Sequence, residues 1–272
     1  MPEEAPSELK TQVRDFWNRA ACGEALYLQR EDCEAFDAQR KRRYELEPIR
    51  EFADFPSFAG KKTLEIGLGL GADHQSLAEA GAILSGIDLT ERAVGFTATR
   101  FKLFGLQSNL MVGDAEKLPY PSGSFDAVFS WGVIHHSPDT PRAANEIYRV
   151  LHPGGFAKVM IYHRYSMVGY MLWLRYALGV LRPWRSLTDI YSHHLESPGT
   201  KAYTVSEARK MFERFSSIKI STPVGHGDLL TSGVGQRHQG TALRIARILW
   251  PRWLIRRTLQ SHGLCMMIDL VK

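Results

Sequence analysis

From Lys61 onward the chain alternates short apolar runs with amphipathic stretches of about ten to fifteen residues, and the first of these units is the most restrictive. Lys61-Lys62-Thr63-Leu64-Glu65-Ile66 reads as a strand. It runs directly into Gly67-Leu68-Gly69-Leu70-Gly71, and Ala72 to Ala80 then reads as a helix stopped at Gly81. A glycine-rich turn between a strand and a helix lets the backbone bend sharply and lets a ligand approach it closely. The pattern continues with a strand at 82–87 ending at Asp88, and a helix from 91 to 104 with Thr90 as its N-cap and Gly105 after its end. Strands follow at 109–112 and 125–130, then a helix at 141–151 and a strand at 156–162. Strands that alternate with helices of this length specify parallel βαβ units. Later strands are expected at 218–220 and 264–271, with helical insertions at about 166–215 and 225–262. Residues 7–52 carry helical spacing, in Leu9, Val13, Phe16 and Trp17, so residues 1–55 are expected to form an N-terminal helical cap on a domain spanning 56–272.

Composition excludes several classes. The chain has 272 residues, of which 44% are hydrophobic and 23% charged, as in ordinary globular proteins. Its three cysteines, Cys22, Cys33 and Cys265, have no CxxC spacing and suit free thiols in a reducing cytoplasm. The first residues lack the basic and apolar regions of a secretory signal, and the most apolar run, 166–181, interrupted by Arg175 and bounded by Arg164 and Arg182, is too short and too interrupted to span a membrane. The formal charge of +5 divides unevenly. Residues 1–165 carry 19 Lys+Arg and 23 Asp+Glu, a net −4, whereas 166–272 carry 15 and 6, a net +9.

In an open α/β sheet, ligands bind beyond the C-terminal strand ends. Gly67, Gly69 and Ala72 alone fit a dinucleotide fingerprint as well as any other nucleotide site. Two more carboxylates shift the balance. Glu65 precedes the glycines, where it would crowd a pyrophosphate but suit an ammonium or sulfonium, and Asp114 follows the third strand. With Asp88, which can accept from ribose hydroxyls, three acids at three successive strand ends match a cationic nucleoside better than an anionic dinucleotide.

The segments LEIGLGLGADHQSLAEAGA, GIDLT, GDAEKLPYPSGSFDAVFSWGVIHH and ANEIYRVLHPGG, in this order across about 64–162, resemble the class I S-adenosylmethionine-dependent methyltransferases, in particular the type 11 group that includes the ubiquinone/menaquinone methyltransferases. The resemblance implies an α/β, Rossmann-like seven-stranded, mostly parallel sheet with the last strand antiparallel and helices on both faces. It implies S-adenosyl-L-methionine as cofactor, with Glu65, Gly67, Leu68, Gly69 and Gly71 bordering its methionine part. Asp88 would hold the ribose hydroxyls and Leu89 would lie near the adenine. Asp114 and the Ala115 amide would face the adenine edge, and Ser130 and Trp131 the methionine amine. Leu68 stands where the family often has Cys or Ala, at a position where the backbone makes the contact.

On the acceptor side, His135 and His136 after the fourth strand and Tyr162 and His163 after the fifth are candidate general bases; His193, His194, His226 and His238 show no metal-ligand spacing, and no metal is expected. The stretch 166–181, apolar almost all round, is expected as a buried helix over the sheet or as a lid on an apolar acceptor pocket. Residues 229–268 hold no acid and six arginines, Arg237, Arg244, Arg247, Arg252, Arg256 and Arg257, among apolar residues. This basic amphipathic stretch suits a solvated surface, an anionic acceptor or peripheral membrane contact through 241–258. The expected activity is in-line methyl transfer to a small, hydrophobic metabolite, an anionic one included. An RNA or protein methyltransferase and a non-catalytic binding module are the alternatives. Nucleic acid is disfavoured because neither an Asn-Pro-Pro-Tyr-like motif nor an RNA-binding module is present.

Overall fold

The computed structural model describes residues 4–46, 48–231, 248 and 250–272. Four N-terminal helices, α1 (Glu4–Arg19), α2 (Glu24–Tyr27), α3 (Cys33–Leu46) and α4 (Ile49–Ala53), precede the sheet. The core alternates β1 (Lys62–Ile66), α5 (Ala72–Glu79), β2 (Ile83–Asp88), α6 (Glu91–Leu103), β3 (Asn109–Val112), β4 (Phe125–Trp131), α7 (Thr140–Val150) and β5 (Leu151–Tyr162). Then come α8 (Met167–Tyr176), α9 (Leu187–His194), α10 (Val205–Met211), β6 (Ser217–Ser221), α11 (Arg252–Thr258) and β7 (Cys265–Val271).

The seven strands lie in the order β3-β2-β1-β4-β5-β7-β6. All neighbours from β3 to β5 are parallel, and β7 runs antiparallel to both β5 and β6. The order reverses between β1 and β4, which opens a crevice at their C-terminal ends. Central strands are covered on both faces: Leu64, Val128 and Ile161 join one apolar cluster with α7, while Ala127 and Phe129 join another with Phe55, Phe58 and Leu77. Local chemistry sets the helix starts. Thr90 Oγ1 accepts from the Ala93 amide at 3.2 Å, and Asp139 Oδ1 accepts from the Arg142 amide at 3.0 Å. Thr204 and Glu207 form a reciprocal capping box on α10.

Two expectations are revised. β5 begins at Leu151, not Phe156, because Leu151 still pairs with Phe125; the register then shifts so that Phe156 pairs with Ala127, and Gly154 sits at φ 81° in the intervening turn. The apolar stretch 166–181 is not a buried helix. Within α8 only Met167, Gly169 and Leu172 are buried. That face meets α9, where the buried Tyr191 hydroxyl bonds Ser166 Oγ at 2.8 Å, and the opposite face leaves Leu174 in solvent.

The buried Asp228 ties the C-terminal segment to the sheet. Its carboxylate accepts from the Gly225 and Leu264 amides at 3.1 Å. Burial pushes its pKa up to about 6, above the 3.8 of a free side chain. The folded protein therefore holds this proton to higher pH than the unfolded chain does. The stability Asp228 contributes is present below pH 4 and is lost as pH rises through 6, by about 3 kcal/mol in full. Urea unfolding of wild type and Asp228→Asn between pH 4 and 7 checks this: the difference between them should move against wild type as pH rises.

Candidate active site

A cavity of about 310 Å³ opens at the C-terminal strand ends. Its floor is the loop after β1, with Ile66, Gly67, Leu68 and Gly69, together with Asp88 and Leu89 after β2 and Asp114 and Ala115 after β3. Trp131, Met160 and Tyr162 come from the ends of β4 and β5, and His136 from the turn after β4. The N-terminal helices supply Lys10, Val13, Trp17, Gln39 and Arg43 as a roof.

The glycines have different tasks. A Cβ on Gly67, at φ 85°, would stand 2.0 Å from Val133 Cγ2, so this glycine serves the fit of loop against the β4 turn. A Cβ on Gly71, at φ 75°, would meet Thr97 Oγ1 of α6 at 2.9 Å. A Cβ on Gly69, at φ 53°, would meet nothing within 4 Å. Gly69 thus presents bare backbone to the cavity.

The loop is held by Asp88. One carboxylate oxygen accepts from the Leu68 amide at 2.8 Å, and the other from the Thr90 amide and hydroxyl at 2.9 and 2.8 Å. Burial raises its pKa above the usual carboxylate value despite these bonds. Asp114 is engaged differently. Its Oδ2 lies 2.6 Å from the ammonium of Lys10, which also reaches Glu116 at 2.6 Å, and its Oδ1 accepts from the Glu116 amide. Lys10 so fastens α1 over the cavity. A carboxylate has about four lone-pair positions, so both acids keep capacity for further donors.

Several expected residues lie elsewhere, and strand alternation explains why. Ile66 faces the cavity, so its neighbour Glu65 points away; Glu65 is buried and lies 2.8 Å from His74 Nδ1. Ser108 Oγ donates to the Leu84 carbonyl, so it accepts from His74 Nε2 at 2.7 Å, and Nδ1 must then accept from Glu65. A protonated Glu65 fits the burial that pushes its pKa well up and that of His74 down to about 3. Glu65 therefore supports the loop rather than bordering a ligand. Ser130, beside cavity-lining Trp131, is fully buried with an unpartnered hydroxyl. His163, beside cavity-lining Tyr162, turns to the opposite face, where Nδ1 lies 3.3 Å from the Gly263 carbonyl. His135 is fully buried, with neither ring nitrogen hydrogen-bonded, and its ring centroid lies 4.0 Å from that of Tyr162 and 4.2 Å from that of His136, tilted by 42° to each. Of the expected bases, Tyr162 and His136 line the cavity, and His135 and His163 do not.

Among the described residues the insertions contribute little wall. The lid expected from 166–181 is absent from the lining, and the 166–215 insertion supplies Glu196 alone. Nothing in the sequence marked Glu196. Its side chain lies at the cavity edge, where its Oε2 accepts from the Tyr162 hydroxyl at 2.8 Å and stands 3.4 Å from His136 Nε2.

Residues 64–159 match the family model described as a methyltransferase domain. The chain belongs to the class I S-adenosylmethionine-dependent methyltransferases. Among curated relatives, a fatty-acid O-methyltransferase of Mycolicibacterium smegmatis is 32% identical over 122 residues, which is 44% of each chain. A demethylmenaquinone methyltransferase of Tropheryma whipplei is 31% identical over 160 residues, 57% of this chain and 66% of the relative. The chain thus spans about half to two thirds of these relatives. In fold it is similar to an S-adenosylmethionine-dependent methyltransferase of Thermotoga maritima, with a TM-score of 0.54 at 18% identity over 96% of this chain and 99% of the other. The matched methyltransferase domain stops inside β5, so Glu196 and β7 lie beyond it.

The division among the glycines is testable. Gly69→Ala should leave the unfolding free energy within about 1 kcal/mol of wild type, the cost of a side chain at positive φ, while weakening S-adenosylhomocysteine binding about tenfold. Gly67→Ala should instead destabilise the fold by about 2 kcal/mol or more, because Val133 must move. Calorimetric titration together with urea unfolding of both variants checks the contrast. Glu65→Gln should retain donor affinity within about twofold, because an amide N–H can replace the carboxyl proton at His74.

Proposed function

We propose that this protein transfers the methyl group of S-adenosylmethionine to a small, largely apolar molecule held at the β5–β7 end of the cavity. The observation that carries this reading is the charge of the cavity. Arg43 is spent on Asp73, at 2.6 Å, and Lys10 on Asp114 and Glu116, whereas every donor to Asp88 is a neutral backbone or hydroxyl group. The floor therefore keeps a carboxylate without a cationic partner beside bare glycine backbone, which suits a sulfonium-bearing nucleoside. Asp88 would accept from the ribose hydroxyls, Asp114 and the Ala115 amide would face the adenine, and the Gly67–Gly69 backbone and Trp131 would border the methionine part. The bound donor supplies an electrophilic methyl group. The protein's own task is to hold the acceptor in line with it and keep water out.

Trp17, Trp131, Met160, Leu264 and Cys265 make the remaining wall predominantly apolar. Relatives named for a fatty acid, demethylmenaquinone and a sterol support an acceptor of lipid-like character. Calorimetry with S-adenosylmethionine tests the donor assignment. Wild type should bind in the micromolar range, and Asp88→Ala should bind about 10- to 100-fold more weakly through loss of charge-assisted hydrogen bonds. Unchanged affinity in that variant would remove the ribose assignment.

Exposed apolar residues with arginines beside them in sequence support peripheral contact with anionic lipid. Ile248 and Trp253 are 81% and 70% exposed, and Leu181 and Trp184 are 83% and 77% exposed. Arg182, Arg256 and Arg257 stand in solvent near them in sequence. Arg252 is excluded from this role because its guanidinium donates to the Leu229 carbonyl. The expected contact region 241–258 falls in part on 241–247 and 249, outside the described residues. No helix among the described residues is long and apolar enough to cross a membrane. Flotation with phosphatidylserine vesicles at low salt should retain wild type and lose the Arg256→Glu/Arg257→Glu variant.

A further inference from the structure

Three side chains from separate parts of the chain converge over the ends of β5 and β7, away from the glycine loop. Tyr162 ends β5, His136 follows β4, and Glu196 comes from the 166–215 insertion. We propose that Glu196 is the base that takes the proton of a neutral hydroxyl on the methyl acceptor, with His136 and Tyr162 as positioning residues for its carboxylate. This rests on the donor assignment above and adds the chemical class of the acceptor.

The geometry selects Glu196 over its neighbours. The Tyr162 hydroxyl donates to Glu196 Oε2 at 2.8 Å, and burial together with the Glu196 charge pushes its pKa well up, so it stays a donor. His135 lies behind Tyr162, fully buried, and does not reach the cavity. His136 is braced on its far side: Nδ1 lies 2.9 Å from Ser197 Oγ and 3.1 Å from Thr200 Oγ1, one and four residues past Glu196 in the insertion, and its ring meets Trp17 edge-on at 5.3 Å. Nε2 is left facing Glu196 Oε2 at 3.4 Å. A carboxylate whose Oε2 accepts from a phenol and faces an imidazole nitrogen at 3.4 Å, with 22% of its side chain still accessible, is oriented before any acceptor arrives.

The same arrangement selects against a carboxylate acceptor. The described lining holds two cations, Lys10 and Arg43, and both are paired with acids at the cofactor end. An anionic acceptor placed beside Glu196 would meet a like charge in a half-desolvated site, whereas a hydroxyl would donate to it. Methylation of a hydroxyl balances there. An O–C bond forms, the sulfonium S–C bond breaks with its electron pair left on sulfur, and the hydroxyl proton passes to the Glu196 carboxylate. A positioned base of this kind is worth about 10²–10⁴ in rate.

The test uses 2-naphthol and 2-naphthoate, which share one ring system and differ in charge, with the full chain saturated with S-adenosylhomocysteine. Excited 2-naphthol surrenders its proton to a base in hydrogen-bond contact and then emits to the red, so its emission reports the base without turnover. Wild type should bind 2-naphthol with naphtholate emission and bind 2-naphthoate at least about tenfold more weakly. Glu196→Gln should lose the naphtholate emission and about tenfold in 2-naphthol affinity, while S-adenosylhomocysteine affinity stays within about twofold. Tyr162→Phe should keep the emission at reduced affinity. Naphtholate emission unchanged in Glu196→Gln, 2-naphthoate bound as tightly as 2-naphthol, or no 2-naphthol binding below about 1 mM would each overturn the proposal. Failure of wild type to bind S-adenosylhomocysteine would instead defeat the donor assignment.

Discussion

Arg100 is the joint on which the site depends. Its guanidinium, on α6, is fully buried and bonds no carboxylate among the described residues. It donates to Gln75 of α5 at 2.6 Å, to the Leu70 carbonyl of the glycine loop at 2.8 Å, and to Gln39 and the Phe36 carbonyl of α3 at 2.8 and 2.6 Å. Burial lowers its pKa to about 10, so the charge persists at neutral pH. A buried cation costs several kcal/mol unless its donors are satisfied, and only this mutual position of α3, α5, α6 and the loop satisfies them. The N-terminal helices are therefore fixed to the loop by an interaction that tolerates little displacement. The Arg43–Asp73 pair and the Lys10 bridge to Asp114 and Glu116 then set the roof above the cavity floor.

From this joint the cavity acquires two chemically different ends. Over β1 to β3, paired charges leave Asp88 with neutral partners only, next to bare glycine backbone. Over β5 and β7, the polar trio of Glu196, His136 and Tyr162 is set in an apolar wall. Methyl transfer needs an electron-rich binding surface for a cationic donor and, for a hydroxyl acceptor, a group that takes a proton on the other side of the reacting centre. The reversal of strand order between β1 and β4 places the two ends next to each other.

Much of the scaffold was legible in the residues. Gly67, Gly69 and Gly71 between an apolar run and a helix, Thr90 as a cap and Gly105 after the helix end each act locally, and locally determined features can be read from order alone. Asp88 and Asp114 were legible because they follow strand ends, where any side chain meets the crevice. Glu65, Ser130 and His163 were misplaced for a different reason. They lie one residue from Ile66, Trp131 and Tyr162 on strands buried on both faces, so apolar alternation does not reveal which face each residue occupies. Glu196 and Arg100 act through partners more than 25 residues away, and no local pattern encodes those contacts. The bare-looking apolar stretch 166–181 misled in the opposite direction: it covers Tyr191 with one face and leaves the other in solvent.

The central claim is that one cavity, roofed by the N-terminal helices, receives the donor at the Asp88 end and the acceptor at the Glu196 end. A crystal structure with S-adenosylhomocysteine tests it most directly. The account predicts the ribose hydroxyls on Asp88, the adenine edge between Asp114 and the Ala115 amide, and the thioether sulfur facing the space bounded by Tyr162, His136 and Glu196. A ligand whose sulfur points away from those three side chains, or whose ribose leaves Asp88 bonded only to Leu68 and Thr90, would contradict it.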